Sequence, residues 1–316
     1  MTTLTENSAA LVELASLLRE EGYTHTTVTP ATHARVNGRP GNTFARNAAD
    51  VFGWSRPFLK DSLSAELFAA MARAQVLLPS DGAWRSRLRL SCLDDLTFWH
   101  SAYPTDAANA VFFGPDTYRF ARAIQHVLAT RRAPVRRAIE VCCGGAPGAI
   151  LVARAHAEAE VWATDINPAA LALAEVNARQ ADVPHVHTAI SNLLTEVPGE
   201  FDLIVANPPY LNDAAGRAYR HGGGALGEAL SLRIVRDGMR RLAPGGQLLL
   251  YTGAAMVGGK DPLREALQPL LDSQDVAWQY AEMDPDVFGE ELETPAYADV
   301  DRIAAVTLTV TAPHGH

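Results

Sequence analysis

The stretch Phe201–Tyr210 constrains the fold of this chain more than any other segment. Its apolar run from Leu203 to Ala206 is typical of a strand that is buried on both faces of a sheet. The strand leads directly into Asn207-Pro208-Pro209-Tyr210, where the prolines fix their own φ angles and favour an extended conformation for Asn207. We therefore expect the Asn207 amide at the carboxyl end of the strand, which is where ligands bind in an open parallel sheet.

The same four residues carry a specific chemistry. The Asn207 amide oxygen lies next to the carbonyl of Pro208, a residue without an N–H, and the pair can accept two hydrogen bonds from one –NH₂ group. Tyr210 adds an aromatic face that can stack on a flat substrate or attract a cationic centre. The alternative interpretation is a proline-rich loop after a core strand.

Composition limits the classes of protein that this chain can belong to. Its 316 residues suffice for one large or two ordinary domains, and 48% hydrophobic with 20% charged residues is typical of a soluble globular protein. The formal net charge of −9 counts against a general nucleic-acid binder, which usually has a basic domain, but not against a local basic patch.

Cysteine usage and the first residues bear on compartment and metal binding. There are three cysteines, and Cys142 and Cys143 are neighbours, so the sequence predicts no disulfide framework and no metal site. Residues Met1–Glu6 lack the basic and apolar regions of a signal peptide, and no apolar run approaches transmembrane length. We therefore expect a soluble cytoplasmic protein without a membrane partner; the sequence does not indicate the oligomeric state.

Residues 1–108 are predicted to form a small, mostly helical domain. Apolar residues at helical spacing predict a helix that is capped by Asn7 or Ser8 and ends at Gly22. Further helices are predicted from Thr29-Pro30 to Asn37-Gly38, and over about residues 64–75.

A β-hairpin is predicted after these helices, which together resemble a winged helix. The hairpin runs from Val76 through the turn Ser80–Gly82 to a strand over residues 87–92. Arg85, Arg87 and Arg89 are expected on one face of that strand, where they are either solvated or in contact with phosphates or an acidic protein surface.

Residues 109–316 alternate strand and helix, which predicts a parallel sheet with helices on both faces. The first helix is expected to be capped by Asp116 or Thr117 and to end near Ala129, and a long helix is expected from Ala225 to Leu242. The predicted strands are 138–141, 161–165, 186–190, 201–206, 247–251, 276–280 and 303–310. Residues 284–300 are predicted to form an acidic lid or insert.

The ends of the first three strands carry residues suited to binding a nucleoside. Small residues follow the strand that contains Glu140, so that backbone N–H groups can approach a ligand closely. Asp165 ends the second strand, where a carboxylate can accept both hydroxyls of a ribose. Ser191-Asn192 ends the third strand with polar groups suited to an adenine edge. Each feature alone is common, and their order along the chain is what indicates a function.

In that order the chain resembles the class I S-adenosylmethionine-dependent methyltransferases over residues 109–316. It is most similar to the nitrogen-methylating branch with the Asn-Pro-Pro-Tyr motif, which includes release-factor glutamine methyltransferases and small-domain ribosomal RNA guanine methyltransferases. The segments Gly114–Thr117 and Gly222–Gly227 also resemble that branch. The resemblance implies an α/β fold with a Rossmann-like seven-stranded methyltransferase sheet, preceded by the N-terminal domain.

The resemblance also implies roles for individual residues. The expected S-adenosylmethionine-binding residues are Glu140, Cys142, Gly144, Asp165, Ile166, Ser191, Asn192 and Asn207. Among them Glu140 and Gly144 would lie near the methionine moiety, and Ile166 would pack on the adenine. The catalytic residues Asn207, Pro208 and Tyr210 would hold the methyl acceptor. The family has glycine at three positions of its first motif, where this chain has Cys142, Gly144 and Ala146, so the cofactor is expected to sit slightly differently.

The implied activity is in-line methyl transfer to an amide or amine nitrogen of a protein or a small molecule. An alternative on the same fold is a cyclase that converts S-adenosylmethionine into azetidine-2-carboxylate and methylthioadenosine. Ribosomal RNA guanine methylation is a further alternative, which the net acidity disfavours without excluding it. A non-catalytic S-adenosylmethionine-binding module is the last alternative, and the intact Asn-Pro-Pro-Tyr sequence argues against it.

Overall fold

The computed structural model describes residues 7–214, 216–217 and 219–314, so the first six residues, on which the signal-peptide expectation rests, lie outside it.

The N-terminal region is helical, as predicted. Its helices are α1 Ser8–Glu20, α2 Pro30–Asn37, α3 Ala48–Phe52 and α4 Ala65–Arg73. The short helix α3 was not predicted from the sequence; the Asn47 side chain caps it by accepting the N–H of Asp50 at 2.9 Å.

The predicted hairpin turn at Ser80–Gly82 is confirmed, but residues 87–92 are not its second strand as predicted, because the chain forms two hairpins. The strands are β1 Leu77–Ser80, β2 Ala83–Ser86, β3 Leu88–Leu93 and β4 Leu96–Ser101. The turn at Asp81-Gly82 has two positive φ angles and closes a two-residue hairpin between β1 and β2. Strand β3 is therefore left to pair with β4.

The second hairpin also overturns the expected arginine face. Arg87 is exposed, whereas Arg85 is half-buried and donates to the Ser55 carbonyl at 3.1 Å. Arg89 lies inside the protein, with 5% of its surface exposed. The three arginines therefore form no common solvated face that could contact phosphates.

The predicted seven-stranded sheet is confirmed. The remaining strands are β5 Arg137–Val141, β6 Glu160–Asp165, β7 His187–Ile190, β8 Phe201–Ala206, β9 Leu242–Met256, β10 Ala277–Asp284 and β11 Arg302–Thr311. Their order in the sheet is β10-β11-β9-β8-β5-β6-β7. Strands β5 to β9 are parallel to their neighbours in this group, and β11 runs antiparallel to both β9 and β10.

Helices accompany the sheet at α5 Pro115–Thr130, α6 Pro147–Ala155, α7 Pro168–Gln180, α8 Ala229–Met239 and α9 Pro262–Asp272. Helix α9 was not predicted. Helix α8 is shorter than predicted, since Gly224 and Gly227 have φ angles of +80° and +91° that a right-handed helix does not allow. Helix α5 begins one residue after Gly114, so neither Asp116 nor Thr117 is its cap residue as predicted; the Thr117 hydroxyl accepts the Gly114 N–H at 3.2 Å.

The N-terminal region packs directly on helix α7. Trp99 of β4 shares a hydrophobic core with Leu173 and Val176 of α7. The Asn177 side chain accepts the Trp99 N–H at 2.8 Å and donates to the Gly145 carbonyl at 3.0 Å.

A domain boundary at residues 108/109 stays a prediction. No helix in the described part of the chain combines the length and apolar character that a membrane crossing requires.

Buried histidines in the N-terminal region predict a pH-dependent stability. Burial, together with the nearby Arg89, lowers the pKa values of His25 and His33 to about 4. The unfolded chain therefore binds more protons than the folded one between about pH 6.5 and pH 4. We expect the free energy of unfolding to fall as pH decreases through this window, by up to about 1.4 kcal/mol per pH unit for each histidine.

Urea unfolding at a series of pH values measures this dependence. The variant His25→Gln removes one titrating group and is expected to flatten the slope, whereas His185→Gln, at an exposed position, is the control that leaves it unchanged. An unchanged slope in His25→Gln would contradict the assignment.

Candidate active site at the carboxyl ends of the strands

The strand order creates a crevice between β5 and β8. The chain runs outward from β5 to β6 and β7 and then returns to β8 on the opposite side of β5. The connections after β5 and β8 therefore diverge, which is where open α/β sheets bind ligands. A first cavity of about 140 Å³ opens there. All eight residues predicted to bind the cofactor line it: Glu140, Cys142, Gly144, Asp165, Ile166, Ser191, Asn192 and Asn207.

The turn between β5 and α6 has a left-handed backbone at three positions, only one of which is a glycine. The φ angles of Cys142, Gly144 and Ala146 are +56°, +51° and +60°. The two non-glycine residues thus occupy the left-handed region, at a cost on the order of 1–2 kcal/mol each. The departure from the family motif therefore changes the side chains at this turn and leaves its left-handed backbone in place.

Glu140 stabilises this turn through hydrogen bonds to the start of helix α6. Its carboxylate accepts the N–H groups of Gly148 at 3.1 Å and Ala149 at 2.8 Å, in the first turn of α6. Burial raises the pKa of Glu140 to about 8, although the two donors act in the opposite direction. The side chain lines the first cavity, but both of its oxygens face the helix. Its geometry is that of a group that positions the turn.

Asp165 combines a structural role with a free binding capacity. Its carboxylate accepts the Gly144 N–H at 2.9 Å and the Asn167 N–H at 2.9 Å, one on each oxygen. Each carboxylate oxygen can accept a second hydrogen bond, so both remain available to a diol. The next residue, Ile166, lines the same cavity and has 59% of its surface exposed. A hydroxylated ring and a flat apolar ring can thus bind side by side.

The third strand end contributes less than the sequence suggested. The Ser191 hydroxyl donates to the Leu193 carbonyl at 2.8 Å and accepts the Glu196 N–H at 3.2 Å, so it stabilises its own turn. The exposed Asn192 accepts a hydrogen bond from Arg233 at 3.1 Å, and its –NH₂ group remains for a ligand.

Asn207 lies where the first cavity meets a second one of about 60 Å³. The second cavity is lined by Phe112, Asp116, Asn207, Pro208, Pro209, Tyr210, Leu211, Tyr219, Arg220 and Phe288. Within the part of the chain that the structure describes, no group donates a hydrogen bond to the Asn207 side chain or to the Pro208 carbonyl. Two adjacent acceptors are therefore free, with Asn207 lining both cavities and Pro208 lining the second.

Tyr210 is fixed by a buried carboxylate. Its hydroxyl donates to Asp116 at 2.7 Å, and the Tyr251 hydroxyl donates to the other oxygen of Asp116 at 2.6 Å. Burial raises the pKa of Asp116, and Arg119 lies 3.3 Å from it. Tyr210 is buried and meets Phe288 edge-on at 5.8 Å, so it forms a wall of the second cavity and does not present the open stacking face that the sequence suggested.

The glycine-rich loop after the motif packs against the Tyr210 backbone, and strand β9 packs against the Tyr210 ring. A Cβ atom on Gly227 would clash with the Tyr210 carbonyl, and one on Gly253 would clash with the Tyr210 ring. From the predicted insert 284–300, the Tyr297 hydroxyl accepts the Asn212 N–H at 2.8 Å. The motif is thus enclosed by residues distant in sequence.

Sequence reasoning missed Asp116 and Phe288 as site residues. The available signal for Asp116 was its position near the start of helix α5, which indicated only a helix cap. Among the described residues, no group of three or more His, Cys, Asp or Glu side chains is placed to hold a metal ion.

The left-handed residues of the turn give a prediction about stability. Cys142→Gly and Ala146→Gly remove the left-handed strain, and the larger backbone entropy of glycine in the unfolded chain offsets part of that gain. We expect the free energy of unfolding to rise by up to about 1 kcal/mol for each variant in urea titrations.

The control for these variants is Ala153→Gly, within α6. This variant places a glycine within a regular helix, and its free energy of unfolding is expected to fall by about 1 kcal/mol or more. Equal losses in all three variants would contradict strain at the turn.

The Asp116 network gives a second prediction. Tyr210→Phe and Tyr251→Phe each remove a donor to a buried carboxylate and are expected to lower the free energy of unfolding by about 1.5–3 kcal/mol. Tyr280→Phe removes a similar hydrogen bond, which the Tyr280 hydroxyl donates to Asp261 at 2.6 Å. This site is only partly buried, so the free energy of unfolding should fall by less. Equal effects in the three variants, measured by urea unfolding, would contradict a special role of Asp116.

Comparison with known proteins agrees with this geometry. Residues 121–270 match the family described as methyltransferase small domain. The chain is 33% identical over 218 residues to the release factor glutamine methyltransferase of Deinococcus radiodurans, over 65% of this chain and 73% of that protein. It is 32% identical over 155 residues to the ribosomal protein uL3 glutamine methyltransferase of Xanthomonas campestris pv. campestris, which covers 46% of this chain and 48% of that relative.

Among solved structures, Trm5b from Pyrococcus abyssi shares the fold. It superimposes with a TM-score of 0.50 and 15% identity, over 75% of this chain and 62% of that one. The chain therefore belongs to the S-adenosylmethionine-dependent methyltransferases, in the branch that includes the release factor glutamine methyltransferases.

Proposed function

We propose that this methyltransferase acts on an amide or amine nitrogen, which the Asn207 side chain and the Pro208 carbonyl hold at the junction of the first and second cavities. The observation that supports this most directly is the pair of free acceptors at that junction. An –NH₂ group needs two acceptors for its two N–H bonds, and the pair matches this requirement.

The first cavity fits S-adenosylmethionine. The exposed Ile166 offers an apolar surface to the adenine ring, and the Asp165 carboxylate has capacity for the ribose hydroxyls. When bound, the cofactor supplies a methyl group that is already activated by a sulfonium centre. The small-residue turn at Gly144 would allow its close approach.

The contribution of the protein to the reaction is mainly positioning. Asn207 and Pro208 accept the two N–H groups of the acceptor and so orient its nitrogen lone pair. The same two oxygens stabilise the positive charge that develops on that nitrogen during transfer. The buried Tyr210 ring forms part of the wall of the second cavity and so limits the space that is open to the acceptor.

The geometry favours a protein or small-molecule acceptor over nucleic acid. The relatives above are named for methylating glutamine, whose side chain ends in the –NH₂ group that two acceptors suit. The arginine face that supported RNA binding does not exist, because Arg89 is buried. We therefore propose no nucleic-acid substrate.

The first experiment needs no assumed acceptor. The purified protein is incubated with S-adenosylmethionine alone, and the nucleoside products are identified by mass. Unchanged cofactor, or adenosylhomocysteine alone, is the result we expect of a methyltransferase without its acceptor. Methylthioadenosine above the spontaneous background would overturn the proposal in favour of the cyclase.

Asn207→Ala gives the matching prediction for turnover. The change removes one of the two acceptors, and we expect transfer of labelled methyl into a cell extract to fall by about 100-fold or more. Cofactor affinity, measured by calorimetry, should change little, because Asp165 and Ile166 remain.

Asn212→Ala is the matched control for this prediction. Asn212 lies just after the motif, and its half-buried side chain donates to the Ala225 carbonyl at 2.9 Å. This variant should keep most of the turnover. A near wild-type rate in Asn207→Ala would exclude the proposed role of that residue.

A further inference from the structure

A third cavity, of about 260 Å³, extends from the second one towards the N-terminal region. The two share Phe112, Asp116, Tyr219, Arg220 and Phe288 on their walls. The N-terminal region supplies Thr27, Val28, Thr29, Pro30, His33, Arg89, Tyr103 and Thr105 to the third cavity. The two cavities together therefore form a connected space from the Asn207 acceptor pair to the N-terminal region.

Arg89 is a buried cation on the wall of this third cavity. Only 5% of its surface is exposed, and its Nε donates to the Ser101 carbonyl at 3.3 Å. Among the described residues, no carboxylate lies within ion-pair distance of its guanidinium, and no other hydrogen bond from it is formed. Burial lowers the pKa of Arg89 to about 10, so it stays protonated at neutral pH.

Among the described residues, a second buried arginine has a different environment. Arg56 has 4% of its surface exposed and forms an ion pair with the buried Asp50. This is the usual arrangement, since an uncompensated buried charge costs several kcal/mol. The lone guanidinium of Arg89 is therefore the exception that needs an explanation.

Other charged groups around the third cavity already have partners or face solvent. Arg119 donates to Asp116 at 3.3 Å and to Asp284 at 2.6 Å. Arg220 is paired with Glu291. Asp286 and Glu290 are exposed at the rim of the cavity. None of these groups neutralises Arg89.

The titratable side chains around Arg89 do not supply a negative charge either. Arg89 contributes to the lowered pKa values of His25, His33 and His100, which are therefore neutral at pH 7. Tyr23, which also lies near Arg89, has a pKa raised by burial and remains protonated. The histidines and the tyrosine around Arg89 are thus neutral, and among the described residues no carboxylate is paired with its guanidinium.

We propose that Arg89 binds an oxyanion, a carboxylate or a phosphate, that belongs to the methyl acceptor. The acceptor is then a small molecule with an amine or amide nitrogen at Asn207 and an anionic group at Arg89. This inference rests on the proposed nitrogen methylation. The planar guanidinium suits either oxyanion, and Thr29 and Tyr103 lie on the same cavity wall. A small molecule that carries both groups can occupy the connected second and third cavities, whose volumes are about 60 and 260 Å³.

The proposal gives the N-terminal region a function. That region carries Arg89 on β3 and Thr29 at the start of α2, and both face a cavity that the catalytic sheet alone would leave open. Acceptor recognition is then divided between the two parts of the chain: the sheet holds the nitrogen, and the N-terminal region holds the anion.

A binding experiment with wild-type protein tests the anion site first. Glutarate, inorganic phosphate and the neutral glutaramide are titrated at constant ionic strength into protein saturated with adenosylhomocysteine, and the melting temperature is recorded. Glutarate or phosphate should raise it with a saturable dose dependence, and glutaramide should not. The stronger of the two anions identifies the oxyanion. No saturable effect of either anion would overturn the proposal.

Variants connect this binding to Arg89. Arg89→Gln should weaken the affinity for the better anion by about tenfold or more, and Arg89→Lys should restore part of it. Arg87→Gln is the matched control, because this exposed arginine is two residues away. Equal affinity in wild type and Arg89→Gln would overturn the proposal. If Arg89→Gln fails to fold, the wild-type titration and Arg89→Lys still decide.

A turnover experiment separates this inference from the proposed function. Methyl-labelled cofactor is incubated with a small-molecule extract, and labelled products are separated by anion exchange. An anionic product whose formation by Arg89→Gln shows at least a tenfold higher KM and a smaller change in kcat supports both proposals. A labelled nitrogen product without an anionic group overturns only the role of Arg89. Saturable anion binding without methyl transfer to any acceptor overturns the proposed function and leaves an anion site.

Discussion

The buried carboxylate of Asp116 is the interaction on which the arrangement of this active site depends. A carboxylate with 3% of its surface exposed is stable only when its oxygens are hydrogen-bonded, and here the donors come from the Asn-Pro-Pro-Tyr motif, from strand β9 and from helix α5. Three segments far apart in the sequence are therefore tied to one point. The position of Asn207, three residues before Tyr210, follows from that connection.

The turn between β5 and α6 is likewise stabilised by hydrogen bonds to carboxylates. Glu140 accepts two backbone N–H groups at the start of α6, and Asp165 accepts the N–H of Gly144. The two carboxylates hold the backbone between them, so the left-handed conformation at Cys142 and Ala146 persists without the glycines that usually favour it. Hydrogen bonds to the turn thus replace the intrinsic preference of the missing residues.

Sequence reasoning succeeded where a local pattern determines the structure. The strands of the sheet are short apolar runs, such as Leu203–Ala206, and their ends are marked by polar or small residues. It failed where the structure depends on a pairing partner elsewhere in the chain. The inward orientation of Arg89 depends on the pairing of β3 with β4, and alternation in a short strand does not show which face is buried. The role of Asp116 likewise depends on two tyrosines that follow it by 94 and 135 residues.

The contact through Asn177 shows why the N-terminal region and the cofactor turn are parts of one site. A single amide accepts from Trp99 of the N-terminal hairpins and donates to Gly145 of the turn. Strand β4, which carries Trp99, pairs with β3, which carries Arg89. The backbone that borders the first cavity is therefore joined, through one side chain and one pair of strands, to the guanidinium that borders the third. A shift of the N-terminal region would move both ends of the space in which cofactor and acceptor meet.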